Sequence, residues 1–137
     1  MDGFNFTVSY RVSISDINYG NHVANSAVLN FFQEARIQYL ANLGGFSELD
    51  IGGCGIILPE AKVKYQAEMF HSDELNIGVR IVALGRSSIS MEYRIERNLE
   101  VTASGKTALI AFDYTKRKPR RLPNDFRQAV QQFESLE

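Results

Sequence analysis

The stretch that decides the fold runs from residue 25 to residue 45 and has the sequence NSAVLNFFQEARIQYLANLGG. Residues 26–43 would form a helix with apolar side chains on nearly every face and few charges. Asn25 or Ser26 is a suitable N-cap, and Gly44-Gly45 supplies the left-handed residue that commonly ends a helix. A helix that is hydrophobic all round is a buried helix, so other elements must wrap it.

The rest of the chain supplies strands for that purpose. Apolar and polar residues alternate in the way that is typical of strands, and in the first segment Phe4 to Ile14 place their apolar side chains on one face. The segments that predict strands are 4–14, 60–69, 75–83, 89–95 and 105–115. A short amphipathic helix is predicted at about 124–135. The order predicts a single domain over residues 1–137 of class α+β, with an antiparallel sheet of about five strands wrapped around one long central helix.

Such a sheet has two exposed edges and leaves its helix partly uncovered. Pairing with a second copy of the chain resolves both problems, so we expect a homo-oligomer, either a dimer or a tetramer.

Composition limits the class of protein. The chain has 137 residues, of which 45% are hydrophobic and 23% are charged, as in an ordinary globular domain. No apolar run approaches the roughly 20 residues that cross a bilayer, and the start of the chain lacks the basic and apolar regions of a signal peptide. The single cysteine fits a reducing compartment, so we predict a cytoplasmic protein without a membrane partner. The net charge of −1 argues against an overall positive electrostatic potential of the kind that attracts nucleic acids.

Residues 16–25 have the sequence DINYGNHVAN, and residues 33–36 have the sequence QEAR. Together with the order of elements, these segments resemble the hotdog-fold acyl-CoA thioesterases of the 4-hydroxybenzoyl-CoA thioesterase type. The signature of that family is roughly Asp-x-Asp-x-x-Gly-His-Val-Asn-Asn followed by Glu-Glu-Ala-Arg, and the spacing matches without a gap. The resemblance implies a hotdog fold and hydrolysis of an acyl-CoA or another acyl thioester, with no cofactor apart from the CoA of the substrate.

Two positions depart from the family pattern. The second Asp of the signature, which is the usual catalytic carboxylate, is Asn18, and the first Glu of the helix motif is Gln33. An amide cannot act as a nucleophile or a general base at neutral pH. The departures favour a second hypothesis, in which the chain binds or senses acyl-CoA without hydrolysing it. A third is a different hotdog enzyme, such as a dehydratase or hydratase, although no clear His and acid pair can be assigned.

The predicted catalytic residues surround the start of the helix. The resemblance implies that the backbone N–H of Asn25 is the oxyanion donor. His22 can act as a base or can hold the loop, and Asp16 can do the same or can cap the loop backbone. Asn18 can orient a water or can be a turn residue. Glu34 lies one residue past the acid position of the family, about 100° around the helix, and can be a base or half of a structural ion pair.

The predicted substrate-binding residues lie further along the chain. CoA carries phosphates, which Arg and Lys hold by charge-assisted hydrogen bonds. Arg86 and Ser87, in a segment that resembles the family, and Lys116, in the basic run 116–121, are the candidates, although the run can equally be a solvated charged segment. Tyr65 is a candidate wall of the acyl pocket or a plain core residue.

Overall fold

The computed structural model describes residues 1–136, which form one antiparallel sheet and two helices. The elements are β1 (Thr7–Arg11), α1 (Asn25–Gly44), β2 (Gly55–Tyr65), β3 (Glu74–Leu84), β4 (Ser88–Arg97), β5 (Glu100–Asp113), β6 (Lys118–Pro119) and α2 (Asn124–Glu134). In space the strands follow the order β1-β3-β4-β5-β2, and the two-residue β6 pairs with β5. The predicted fold class, one antiparallel sheet around a long helix, is confirmed. None of the helices in residues 1–136 is long and apolar enough to cross a membrane.

Helix α1 packs one face onto the sheet. The ring of Phe32 stacks on Tyr93 of β4 with 4.6 Å between the ring centroids. Gly105 on β5 makes this contact possible, because a Cβ there would collide with the Phe32 ring. The opposite face of α1 is exposed and includes the apolar side chains of Leu29 and Ile37. The sheet of a single chain therefore leaves the helix partly uncovered, as the sequence predicts.

The two ends of α1 differ in how well the sequence predicts them. Gly45 adopts the expected left-handed conformation, with φ of 79°, and its N–H bonds to the carbonyl of Ala41. At the start, Ala24 is the N-cap and no side chain caps the helix, so the prediction of Asn25 or Ser26 as the cap is wrong. The physical reason is that the backbone of the preceding loop already fixes the helix start: Ala24 N–H bonds to Asp16 O at 2.9 Å.

The first strand is shorter than predicted. Only residues 7–11 pair with β3, and the predicted range 4–14 is too long at both ends. Phe4 instead packs beside Arg80 and Arg94, with the two guanidinium groups 4.6 Å and 5.1 Å from its ring centroid. Ile14 lies exposed in a short 3-10 turn. Cation–π contacts and a local turn therefore override the alternating pattern.

Strand β2 is displaced relative to the predicted range 60–69. It begins at Gly55, has a bulge between Ile57 and Glu60, and ends at Tyr65. The strand ends there because the N–H groups of Gln66 and Ala67 both turn onto the carbonyl of Thr102. Its outer edge carries no partner strand within the described residues, so it is an open edge of the sheet.

Candidate active site

The start of α1 offers free hydrogen-bond donors beside a cavity. Within residues 1–136, the backbone N–H groups of Asn25 and Ser26 have no hydrogen-bond acceptor. Such groups carry the positive end of the helix dipole and attract developing negative charge. The Tyr65 hydroxyl donates to the Asn25 carbonyl at 3.0 Å and so fixes the first turn to the end of β2. The cavity has a volume of about 260 Å³ and is lined by His22, Val23, Asn25, Val28, Tyr65, Gln66, Ala67, Glu68 and Met69.

The loop before the helix orients His22. The Nδ1 atom of its ring lies 3.0 Å from the carbonyl oxygen of Val23. Because a carbonyl can only accept, this contact places a proton on Nδ1, and a neutral imidazole then keeps a lone pair on Nε2. Asn18 lies on the same loop, and its side-chain oxygen accepts from Gly20 N–H at 2.9 Å. A Cβ on Gly20 would lie 3.2 Å from His22 Nε2 and 3.3 Å from Asn18 Oδ1, so a side chain at this position would crowd both atoms.

Asp16 and Glu34 have different surroundings. One carboxylate oxygen of Asp16, Oδ2, accepts from Ser13 N–H at 2.9 Å and from the Tyr10 hydroxyl at 2.5 Å. Burial, followed by the bond to Asp16, raises the pKa of Tyr10 to about 12. Asp16 thus holds the loop together in this structure. Glu34 lies on the exposed face of α1, and it forms no ion pair within residues 1–136.

The predicted phosphate-binding residues lie at the opposite end of the sheet. Arg86 and Ser87 form the turn between β3 and β4, and Lys116 follows β5; their backbones are fixed by bonds such as Leu122 N–H to Arg86 O at 2.9 Å. Ala103 on β5 pairs with Tyr65, whereas Asp113 ends that strand. Ten residues of strand separate the two ends by roughly 33 Å. A single chain therefore does not bring these residues to the start of α1.

Two polar residues of the cavity wall are absent from the predicted site. Gln66 and Glu68 fall in the range predicted as a strand, where they would simply alternate on its polar face. The backbone turn onto Thr102 ends the strand at Tyr65 and places both residues along the cavity. No local sequence signal marks this turn. Within residues 1–136, no group of three His, Cys, Asp or Glu side chains is arranged to hold a metal ion.

Comparisons with known proteins agree with this fold. The family model of the thioesterase-like superfamily matches residues 12–130. An acyl-CoA thioesterase YbgC from Haemophilus influenzae is 25% identical over 130 residues, which are 93% of this chain and 94% of that protein. A Thermus thermophilus thioesterase solved with coenzyme A and Zn is 28% identical, with a TM-score of 0.84 and 98% of each chain covered. A 1,4-dihydroxy-2-naphthoyl-CoA thioesterase from Synechocystis is 20% identical, with a TM-score of 0.82 and coverage of 91% of this chain and 94% of the other, which is a likeness of fold alone.

Proposed function

Because this chain belongs to the thioesterase-like superfamily, we propose that it hydrolyses the thioester of an acyl-CoA or of a related acyl carrier. The observation that carries the proposal is the start of α1, where Asn25, whose backbone N–H is free, lines a cavity that also contains His22. This arrangement provides an electrophile-polarising site and a base at the same place. Neither of them depends on the carboxylate that Asn18 replaces.

The proposed reaction uses the helix start as the oxyanion site. The thioester oxygen accepts a hydrogen bond from the Asn25 N–H, and the helix dipole stabilises the negative charge that develops on it. A water oriented by Asn18 attacks the carbonyl carbon, and its proton passes to Nε2 of His22. The tetrahedral intermediate then collapses, the C–S bond breaks, and the imidazolium returns the proton to the thiolate. The products are a carboxylic acid and the free thiol.

His22 is preferred to Asp16 as the base. Its Nδ1 contact to the Val23 carbonyl leaves Nε2 with a lone pair, whereas Oδ2 of Asp16 already accepts two hydrogen bonds. His22→Asn keeps a donor for the Val23 carbonyl but has no Nε2 lone pair, so it separates a base from a residue that only holds the loop. A kcat equal to that of the wild type would exclude His22 as the base.

The proposed active form is a pair of chains joined along β2. The exposed apolar side chains of Leu29 and Ile37 on α1 and of Leu58 and Tyr65 on β2 flank this open edge. Antiparallel pairing along β2 would set the Gly55 end of one chain beside the Tyr65 end of its partner.

That pairing also solves the problem of the distant phosphate site. Arg120 donates to Gly53 O at 3.2 Å, so the basic run 116–121 lies close to the beginning of β2. In the pair, the basic run and Arg86 of the partner subunit approach the start of α1. CoA would then extend from the helix start of one chain to the cations of the other.

We expect the protein to sediment as a dimer or a larger oligomer at micromolar concentration, and the double variant Leu29→Glu/Leu58→Glu to sediment as a monomer. Both side chains are already exposed in a single chain, so the far-UV circular dichroism should stay unchanged. The monomer should lose hydrolysis because the partner's cations are gone. Leu99→Glu, which changes an exposed leucine at the turn between β4 and β5, is the matched control and should sediment like the wild type. A monomeric wild type that hydrolyses acyl-CoA would contradict the pairing.

The function itself is tested by thiol release from short, long and aromatic acyl-CoAs, with the wild type beside Asn18→Asp. We expect the wild type to turn over at least one substrate, which would identify the acyl group. Turnover by Asn18→Asp alone would favour the alternative of an acyl-CoA-binding protein that has lost its base. If neither the wild type nor Asn18→Asp released thiol from any substrate, acyl-CoA thioesters would be rejected as the substrate class.

A further inference from the structure

The guanidinium of Arg97, at the end of β4, fastens the segment that forms one wall of the cavity. Nη1 donates to the carbonyl of Glu68 at 2.6 Å and to Oδ2 of Asp73 at 2.9 Å, while Nη2 donates to Oε1 of Glu100 at 2.8 Å. The same Oδ2 of Asp73 accepts from Phe70 N–H at 2.8 Å. Arg97 therefore ties both ends of residues 68–73 to the sheet. The bonds to the Asp73 and Glu100 carboxylates raise the pKa of Arg97, whose guanidinium is charged in any case.

The segment of residues 68–73 is in turn hydrogen-bonded to the loop that contains His22. The carbonyl of Met69, in the middle of the segment, accepts the N–H of Val23 at 2.8 Å. Val23 follows His22 directly, and the carbonyl oxygen of Val23 accepts a hydrogen bond from His22 Nδ1 at 3.0 Å. Asn25 follows two residues later. The position of the base and of the oxyanion donor thus depends on where Met69 lies, and Met69 lies between the two contacts of Arg97.

We propose that Arg97 is a positioning residue for thioester hydrolysis: it fixes the Glu68–Asp73 wall and, through Met69 and Val23, the placement of His22 and of the Asn25 N–H. Arg97 does not line the cavity, so the proposal gives it no contact with the substrate. The inference rests on the proposed function for its kinetic consequence. The mechanical link to Val23 can be measured without any substrate.

Arg97→Met keeps much of the side-chain length and removes all three hydrogen bonds. We expect kcat to fall about tenfold, because a small displacement of the reacting groups is costly to the rate, while KM for acyl-CoA stays within about twofold. The amide of Val23 should exchange its hydrogen faster, as seen by hydrogen–deuterium exchange. Arg97→Lys can still reach Asp73 and should recover part of kcat.

Arg80→Met is the matched control. Arg80 is also held by a carboxylate and a carbonyl, Glu92 and Gly3, but it lies on β3 against Phe4 and outside the catalytic cavity. It should lose similar thermal stability while kcat and Val23 exchange stay at the wild-type values.

Three outcomes would overturn the positioning role: an unchanged kcat in Arg97→Met, equal losses of kcat in Arg97→Met and Arg80→Met, or an unchanged Val23 exchange. If Arg97→Met does not fold, Asp73→Asn tests the same link, because it removes one charge of the pair and keeps the shape. A wild type inactive on every thioester would overturn the proposed function instead, and Val23 exchange would still decide whether Arg97 holds the loop.

Discussion

Replacing Asn25 by proline is expected to lower kcat for thioester hydrolysis about 100- to 1,000-fold, which is the usual effect of removing one oxyanion donor. Proline has no backbone N–H, so the variant deletes the proposed donor itself. Position 25 is the first residue of α1, where proline is well tolerated because its N–H has no partner within the helix. Ala24 already has the extended conformation that a residue before proline prefers, with φ of −67° and ψ of 144°. The helix should therefore remain intact.

Asn25→Ala is the control for this experiment, since it removes the side chain but keeps the N–H. We expect its kcat to stay close to that of the wild type, and the circular dichroism and melting temperature of both variants to show a folded protein. Equal activity of the proline variant and the wild type would contradict an oxyanion site at this N–H. Loss of activity in the alanine variant would instead assign the role to the Asn25 side chain.

The local pattern predicted those parts of the fold in which neighbouring residues decide the conformation. Gly45 ends α1 because a left-handed residue is needed there, and the alternation in β3 and β4 follows from one buried face. Helix α2 was expected at about 124–135 and spans Asn124–Glu134. The prediction failed where contacts with residues distant in sequence decide the conformation. Phe4 lies outside β1 because its ring packs against Arg80 and Arg94 of the sheet.

In the candidate site too, the sequence predicts what neighbouring residues determine and misses what distant residues determine. The motif at 16–25 places His22 and Asn25 at the helix start, because that loop and helix are contiguous in the chain. Arg97 carries no signal of its own, since it lies far along the chain from the loop that it holds and acts through the Glu68–Asp73 segment. The distance between the helix start and Arg86 could not be foreseen either, because it depends on the strand order and register.

Replacing Glu48 by methionine should be among the most destabilising single changes, because Glu48 is the carboxylate partner of a buried arginine. The Arg36 side chain is only 5% exposed, and its Nη2 lies 3.6 Å from Oε2 of Glu48. Arg36 Nη1 donates to the Tyr93 hydroxyl at 3.0 Å, and that hydroxyl also bonds to Thr107 at 2.7 Å. Within residues 1–136, Arg36 Nε and Glu48 Oε1 are buried and have no hydrogen-bond partner. The carboxylate is thus the main compensation for a charge held away from water.

We expect Glu48→Met to lower the free energy of unfolding by about 3 kcal/mol, since it leaves a buried charge unpaired. The measurement is denaturant unfolding at one fixed chain concentration, because association also contributes to apparent stability. The double variant Arg36→Met/Glu48→Met should recover most of the loss, since no charge then remains to be compensated and Tyr93 keeps its bond to Thr107.

Glu92→Met is the matched control, because Glu92 is as exposed as Glu48, at 26% against 25%, while its partner Arg80 is 31% exposed and Arg36 is 5% exposed. Water can solvate Arg80 once its carboxylate is removed, so this variant should cost no more than about 1 kcal/mol. The comparison therefore isolates the burial of the arginine from the loss of a carboxylate. Equal destabilisation by Glu48→Met and Glu92→Met, or a double variant no more stable than Glu48→Met, would show that burial of the Arg36 charge does not determine the cost.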